Sequence, residues 1–299
     1  MQFSTKVDIP KSRFSIEPCE RMLFVGSCFA DNMGRRFVDD KFRAVVNPYG
    51  VMYNPASIMH TVRRWLYDGQ QPSIPAHNLT SSPSCHHAPS TAVFTLGTNH
   101  VYILNETGEI VDNCRKRPQR LFTEHELSIE ECVEYLSEAV EMLCSVNPAI
   151  RVIVTVSPIR YAKYGFHGSQ LSKATLLLAA DRLVRKYAAS DGNDANGHPT
   201  VVYFPAYEIV NDELRDYRFY REDMLHPTDQ AVEYIWERFA ATYFSDETNR
   251  FLAEWRPVKA ALGHRPFNPD GEEYRLFLQR TREKAEKLKE KYPDLELCF

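Results

Sequence analysis

From residue 21 to residue 244 the chain alternates short apolar runs with stretches whose apolar residues recur every three or four positions. No other feature limits the fold as tightly. Arg151-Val152-Ile153-Val154-Thr155-Val156 is the clearest run. It is rich in β-branched residues and lacks a polar alternation, the pattern of a strand covered on both faces. Residues 21–26, 91–97 and 200–204 read the same way, and 44–58 reads as a strand entering a turn-rich loop. Helices are expected between them. One spans 28–39 with Phe29, Met33 and Phe37 on one face. A second spans 57–67 with Ser57 placed to cap it. The capping box Ser128-Ile129-Glu130-Glu131 opens a third, to about residue 145. A fourth spans 170–189, with Leu176, Leu177, Ala180, Leu183 and Val184 inward. The last runs to about 244, with Pro227 in its first turn and Val232, Ile235, Trp236 and Phe239 inward. A small hairpin is expected at 101–104 and 109–112, around Glu106-Thr107-Gly108. Strand–helix alternation of this kind predicts a three-layer α/β fold with a mostly parallel sheet over residues 1–245. Beyond 246 the pattern changes to a helical C-terminal extension, 246–299, with a charged helix at 271–292.

Composition narrows the classes of function. The 299 residues carry a net charge of −4, and the pI is near 6.2. Neither suits a nucleic-acid binder, which needs a basic face. No stretch approaches the roughly 20 apolar residues of a membrane helix, and Met1-Gln2-Phe3-Ser4-Thr5-Lys6 lacks the apolar core of a secretory signal. Seven scattered cysteines without a Cys-x-x-Cys pair indicate neither a zinc ribbon nor a disulfide framework. Reduced thiols in a cytoplasmic protein are the expectation.

Open α/β sheets place their sites beyond the carboxyl ends of the strands. Ser27, Gly50, Asn99, Ser157 and the loop before His226 all follow expected strands. Ser27 ends an apolar run and a glycine and begins a helix, so it is either a helix cap or a nucleophile lifted out of the sheet. Cys28 is the other thiol or hydroxyl nucleophile at that turn, or a small buried residue. Asp223 and His226, three apart in a loop, can form the acid–base pair that activates a serine, or can belong to a solvated loop. Gly50 and Asn99 are candidate oxyanion donors or turn residues. His86 and His87 sit in the Pro/Ser-rich segment 70–90, which reads as a lid or as a plain loop.

Several blocks carry a family resemblance. Gly26-Ser27-Cys28-Phe29-Ala30 is the signature of the GSCFA domain family, and Asn47-Pro48-Tyr49-Gly50-Val51-Met52-Tyr53-Asn54-Pro55 and Leu96-Gly97-Thr98 resemble it too. So do Thr107-Gly108-Glu109-Ile110-Val111-Asp112-Asn113-Cys114, Thr155-Val156-Ser157-Pro158-Ile159-Arg160 and Gln170-Leu171-Ser172-Lys173. Asp216-Tyr217-Arg218-Phe219-Tyr220, Asp223-Met224-Leu225-His226-Pro227 and His264-Arg265-Pro266-Phe267 complete the set. The family in turn resembles the SGNH (GDSL-like) hydrolases. That resemblance implies a flavodoxin-like α/β/α sandwich and an esterase working through an acyl-serine. It implies Ser27 as nucleophile, His226 as base and Asp223 as its orienting acid. Ser27 N–H, Gly50 N–H and the Asn99 side chain would form the oxyanion hole, although His100 stands where the superfamily pattern Gly-x-Asn-Asp has aspartate. His87, Asn54 and Arg160 are substrate-binding candidates. The expected substrate is a small-molecule or carbohydrate ester, with no cofactor, metal, nucleic acid or membrane involved. An acyltransferase with the same triad, a metal-dependent hydrolase using His86, His87, Asp223 or His226 as ligands, and a silent binding protein are the alternatives.

Overall fold

The structure, a computed structural model, describes residues 5–67, 88–188, 200–268 and 271–297. Five strands, β1 (Arg21–Gly26), β2 (Arg43–Val46), β3 (Thr91–Leu96), β7 (Arg151–Val156) and β8 (Thr200–Tyr203), form one sheet in the order β2-β1-β3-β7-β8. Every neighbouring pair is parallel. This is the flavodoxin-type order, and it sends all five carboxyl ends to one edge. A second sheet, antiparallel, joins β4 (His100–Leu104) to β5 (Ile110–Val111) and β6 (Phe122–Glu126). The hairpin of β4 and β5 matches expectation. Strand β6 has no sequence counterpart in it, because Phe-Thr-Glu-His-Glu offers a single buried residue.

Side-chain alternation along the strands fills two cores. Leu23, Val25, Phe94, Val152 and Val154 face helices α2 (Pro55–Tyr67), α3 (Ile129–Val146) and α4 (Gly165–Ala188). Met22, Phe24, Val93 and Ile153 face α1 (Cys28–Asp39) and α6 (Asp229–Tyr243). Helices on both faces explain why the strands read as continuous apolar runs. Phe37 anchors the second core: its ring lies 4.8 Å from both Phe42 and Trp236 and 5.0 Å from Phe24. Truncating a phenylalanine so placed costs about 3–5 kcal/mol. Between β8 and α6 lie the short turn α5 (Ala206–Glu208) and the loop bearing Asp223 and His226. Helices α7 (Asp246–Leu262) and α8 (Glu272–Lys291) build a third core, with Phe251, Trp255 and Ala285 packed around Cys19. Among the described residues no helix is long and apolar enough to cross a membrane.

Two local expectations are corrected. Helix α2 starts two residues early, at Pro55, and its cap is Asn54, whose Oδ1 accepts from Ser57 N–H at 2.9 Å; Ser57 is a buried helical residue. Proline is tolerated at a first helical position because its missing N–H would have no partner there. Pro227 lies before α6, not in its first turn; Thr228 is the cap, accepting from Ala231 N–H at 3.2 Å.

Candidate active site

Ser27 stands at the junction of β1 and α1. It is the N-cap of α1, its Oγ accepting from Phe29 N–H at 3.3 Å, and it is 1 % exposed. The cap and nucleophile readings therefore coincide in space. Gly26 makes the turn. Its φ of +149° is a conformation side chains rarely adopt, and a Cβ there would sit 2.2 Å from the Thr95 carbonyl oxygen. Asn47, just past β2, clamps the same turn from the neighbouring strand. Its Oδ1 accepts from Gly26 N–H at 2.8 Å and its Nδ2 donates to Asp31 Oδ1 at 2.6 Å. Asp31 in turn complements the positive end of α1. Nothing in the sequence pattern singled out Asn47, although it stands in the matched block that follows β2.

Lys173 is the second residue that pattern did not mark. It is 2 % exposed, and its Nζ donates to Gly97 O at 2.7 Å and to Ser157 O at 2.8 Å. It thus ties the ends of β3 and β7 together beside Ser27. Burial pushes its pKa down to about 7, because desolvation disfavours the ammonium form.

Asp223 and His226 come together directly. His226 Nδ1 lies 2.6 Å from Asp223 Oδ2, while Asp223 Oδ1 accepts from Leu225 N–H at 2.8 Å and His226 N–H at 2.9 Å. An aspartate that bonds backbone N–H groups two and three residues on is a local turn former. Met224, between them, takes the left-handed φ of +58° that closes the turn. The loop is stapled at its base by the Tyr220–Pro227 bridge and by Arg221 N–H on His226 O at 2.7 Å. The backbone N–H bonds, followed by the His226 ring, hold the Asp223 carboxyl down at a pKa of about 2. With Nδ1 bonded to the carboxylate, Nε2 is the imidazole nitrogen left to accept a proton.

Arg160 fixes this loop to the sheet edge. Its N–H donates to Leu225 O at 3.1 Å and its Nη1 to Met224 O at 3.0 Å. Its guanidinium lies 4.2 Å from the centre of the Phe166 ring and 5.5 Å from that of Tyr220. Beside it opens a cavity of about 460 Å³ that Tyr207, Tyr217 and Arg215 also line. Tyr161, the next residue, reaches back to Ser27: a Cβ added at Gly97 would meet the Tyr161 hydroxyl at 2.9 Å and Ser27 Cβ at 3.4 Å. The loop of His226 and the turn of Ser27 therefore share one edge through residues 160–161. No hydrogen bond joins Ser27 to His226 among the described residues.

The expected oxyanion donors have protein partners. Ser27 N–H donates to Thr95 O at 3.1 Å, extending the β1–β3 ladder, and Gly50 N–H donates to Asn47 O at 2.9 Å in an exposed turn. Asn99 is buried with its Nδ2 on Leu127 O at 2.8 Å, joining β4 to the start of α3. Both backbone N–H groups, and one of the two N–H bonds of Asn99 Nδ2, are committed to protein carbonyls. His100, where the superfamily has aspartate, stacks on Tyr164 at 3.6 Å between ring centres. Cys28 Sγ lies 3.9 Å from Tyr53 Oη. Asn54 is the helix cap described above. His86, His87 and all of the segment 70–90 except its last three residues lie outside the described residues. Among the described residues no group of three or more His, Cys, Asp or Glu is gathered to hold a metal ion.

Among curated proteins none matches the sequence. Among solved structures, a candidate platelet activating factor from Streptococcus pneumonia aligns over 75 % of this chain and 84 % of its own, at 12 % identity and a TM-score of 0.43. An acetyl esterase with a serine-to-alanine substitution, solved with acetate ion, aligns over 80 % and 99 % at 11 % identity and a TM-score of 0.40. A carbohydrate esterase family 3 protein from Talaromyces cellulolyticus aligns over 78 % and 99 % at 10 % identity and 0.37. Likeness at this level is too loose to carry residues or activity across. The family models are decisive. The GSCFA family model matches residues 21–88 and 76–239, and the model of the GSCFA domain protein C-terminal domain matches 255–298. With its signature at the Ser27 turn and both models matched in order, the chain belongs to the GSCFA family.

Proposed function

We propose that this protein is a serine-dependent carboxylic-ester hydrolase, with O-acylated carbohydrate as the substrate class. The observation that carries the reading is the Asp223–His226 pair. A carboxylate held by two backbone N–H groups fixes the imidazole through Nδ1, leaving Nε2 as base, on the sheet edge that also presents Ser27 at a helix start. Substrate binding brings Nε2 within hydrogen-bond reach of Ser27 Oγ, a contact that often tightens only in the complex. His226 then takes the Ser27 proton as Oγ bonds to the ester carbonyl carbon, and the carbonyl oxygen takes the electron pair. Collapse expels the alcohol oxygen, which receives that proton, and leaves acyl-Ser27. Water repeats the sequence: its proton goes to His226, its oxygen to the acyl carbon, and the proton returns to Ser27 as the acid leaves. Asp223 stays ionised throughout and stabilises the imidazolium. The Tyr217 ring, 67 % exposed beside the Arg160 cavity, offers a flat face for a sugar ring. Ser27→Ala should abolish turnover of a short-chain aryl acetate and stoichiometric labelling by a fluorophosphonate. Undiminished turnover by the purified variant overturns the reading.

A further inference from the structure

A tetrahedral intermediate at Ser27 needs hydrogen-bond donors for its oxyanion, and the three donors first expected are bonded to Thr95, Asn47 and Leu127 carbonyls. One nearby hydroxyl is uncommitted. The Tyr161 hydroxyl and Ser27 Cβ both border the spot a Gly97 Cβ would take, at 2.9 and 3.4 Å, alongside the Tyr53 carbonyl oxygen at 2.9 Å. It makes no hydrogen bond among the described residues, whereas Tyr161 N–H is anchored on Ser169 Oγ at 3.2 Å. The ring is held on two sides. Tyr53 packs edge-on at 5.7 Å and 85°, and the Lys173 Nζ lies 5.5 Å from the ring centre. We propose that the Tyr161 hydroxyl is the side-chain donor that stabilises the oxyanion formed at Ser27, an inference that rests on Ser27 being the nucleophile.

As the Ser27 Oγ–carbon bond forms and the Ser27 proton moves to His226, the former carbonyl oxygen gains a full electron pair. Tyr161 donates a hydrogen bond to that oxygen and keeps its own proton. Burial, with the neighbouring Tyr53 and Cys28, pushes the phenol pKa upward, so the group remains an O–H donor at neutral pH. Lys173 supports it from below. By holding Gly97 O and Ser157 O it fixes the end of β3, where Gly97 lies against both groups, to the end of β7, which leads to Tyr161.

The test is Tyr161→Phe, which removes one oxygen and keeps the ring packing. On a short-chain aryl acetate, kcat should fall about 10²–10³-fold, the loss typical of one oxyanion donor, with KM within about twofold. Affinity for an alkyl boronic acid, which forms a tetrahedral adduct on serine, should fall in parallel while the thermal midpoint is unchanged. Normal kcat and boronate affinity in Tyr161→Phe, with Ser27→Ala inactive, overturns this inference alone. So does a rise in KM at unchanged kcat, which makes Tyr161 a ground-state contact. Activity retained by Ser27→Ala overturns the nucleophile assignment beneath it.

Discussion

The turn that carries Ser27 is buried and tied by residues distant in sequence, whereas the loop that carries Asp223 and His226 is exposed and tied largely by its own residues, with Arg160 as a distant anchor. Gly26 at the end of β1, Asn47 just past β2, Thr95 in β3 and Lys173 in α4 fix the first. Two backbone N–H groups and one carboxylate fix the second, with side-chain exposures of 44 % for Asp223 and 36 % for His226. The contrast suits the roles proposed for the two regions. A nucleophile must stay at one point relative to its electrophile, and burial among long-range contacts gives that rigidity. A base must be wetted enough to exchange protons and free enough to close on the serine. Stability and activity should therefore separate cleanly between the two regions.

The largest expected effect is on activity alone. Asp223→Asn keeps an Oδ1 acceptor for Leu225 and His226 N–H, so the loop holds. Its Nδ2 then faces His226 Nδ1 as a donor, which drives the imidazole to the Nε2–H tautomer and removes the base. The expected loss is about 10⁴-fold in kcat, the scale of a wrong-tautomer triad. The thermal midpoint should stay within about 2 °C, because the carboxylate is exposed and surface interactions of this kind contribute little. A variant that unfolds, or one that keeps its kcat, breaks the division between the two regions.

Next comes an effect on stability. Gly26→Ala places a Cβ 2.2 Å from Thr95 O at a φ of +149°. Strain at such a backbone costs about 1–3 kcal/mol, and a clash with a central strand that cannot move adds to it. A loss of about 3 kcal/mol or more in urea unfolding is expected. A loss under about 1 kcal/mol would mean that β1 and β3 separate easily and that the buried side is not rigid.

The same contrast explains what could be read from the chain. The strands β1, β3 and β7 and the helices α1, α3 and α6 follow local periodicity, and Ser128 is the expected capping box, with reciprocal bonds to Glu131. Asp-x-x-His is local as well, so its pairing was open to inspection. What escaped depends on contacts between distant segments. Whether the N–H groups of Ser27 and Gly50 and the Asn99 amide face a substrate or a carbonyl is decided by Thr95, Asn47 and Leu127. Tyr161 has no motif of its own and gains its place only when β3 and β7 lie side by side. A lysine at position 173 looks like a solvated helix residue until α4 is packed on the sheet. Strand β6, at the edge and mostly polar, has no apolar run to announce it.

Lys173 gives the smallest effect and the sharpest test of the buried side. Its folded pKa of about 7 lies below the ordinary value of 10.5. Between those values the unfolded chain binds a proton that the folded chain does not, so stability rises with pH through that window and is flat below about 7. The slope for one such proton is on the order of 1 kcal/mol per pH unit. It should be read between about pH 7 and 8.5. Above that, Cys19 and Cys132, pushed up to about 12 by burial, pull the other way: their thiols ionise from about 9 in the unfolded chain but not in the folded one. A neutral amine has two N–H groups for two carbonyls, Gly97 O and Ser157 O, so the hydrogen bonds survive deprotonation. Urea midpoints of the wild type should therefore climb across this range, and those of Lys173→Met should not. An equal climb in both would place the titrating group elsewhere and show that the ammonium form is tolerated beneath the serine turn.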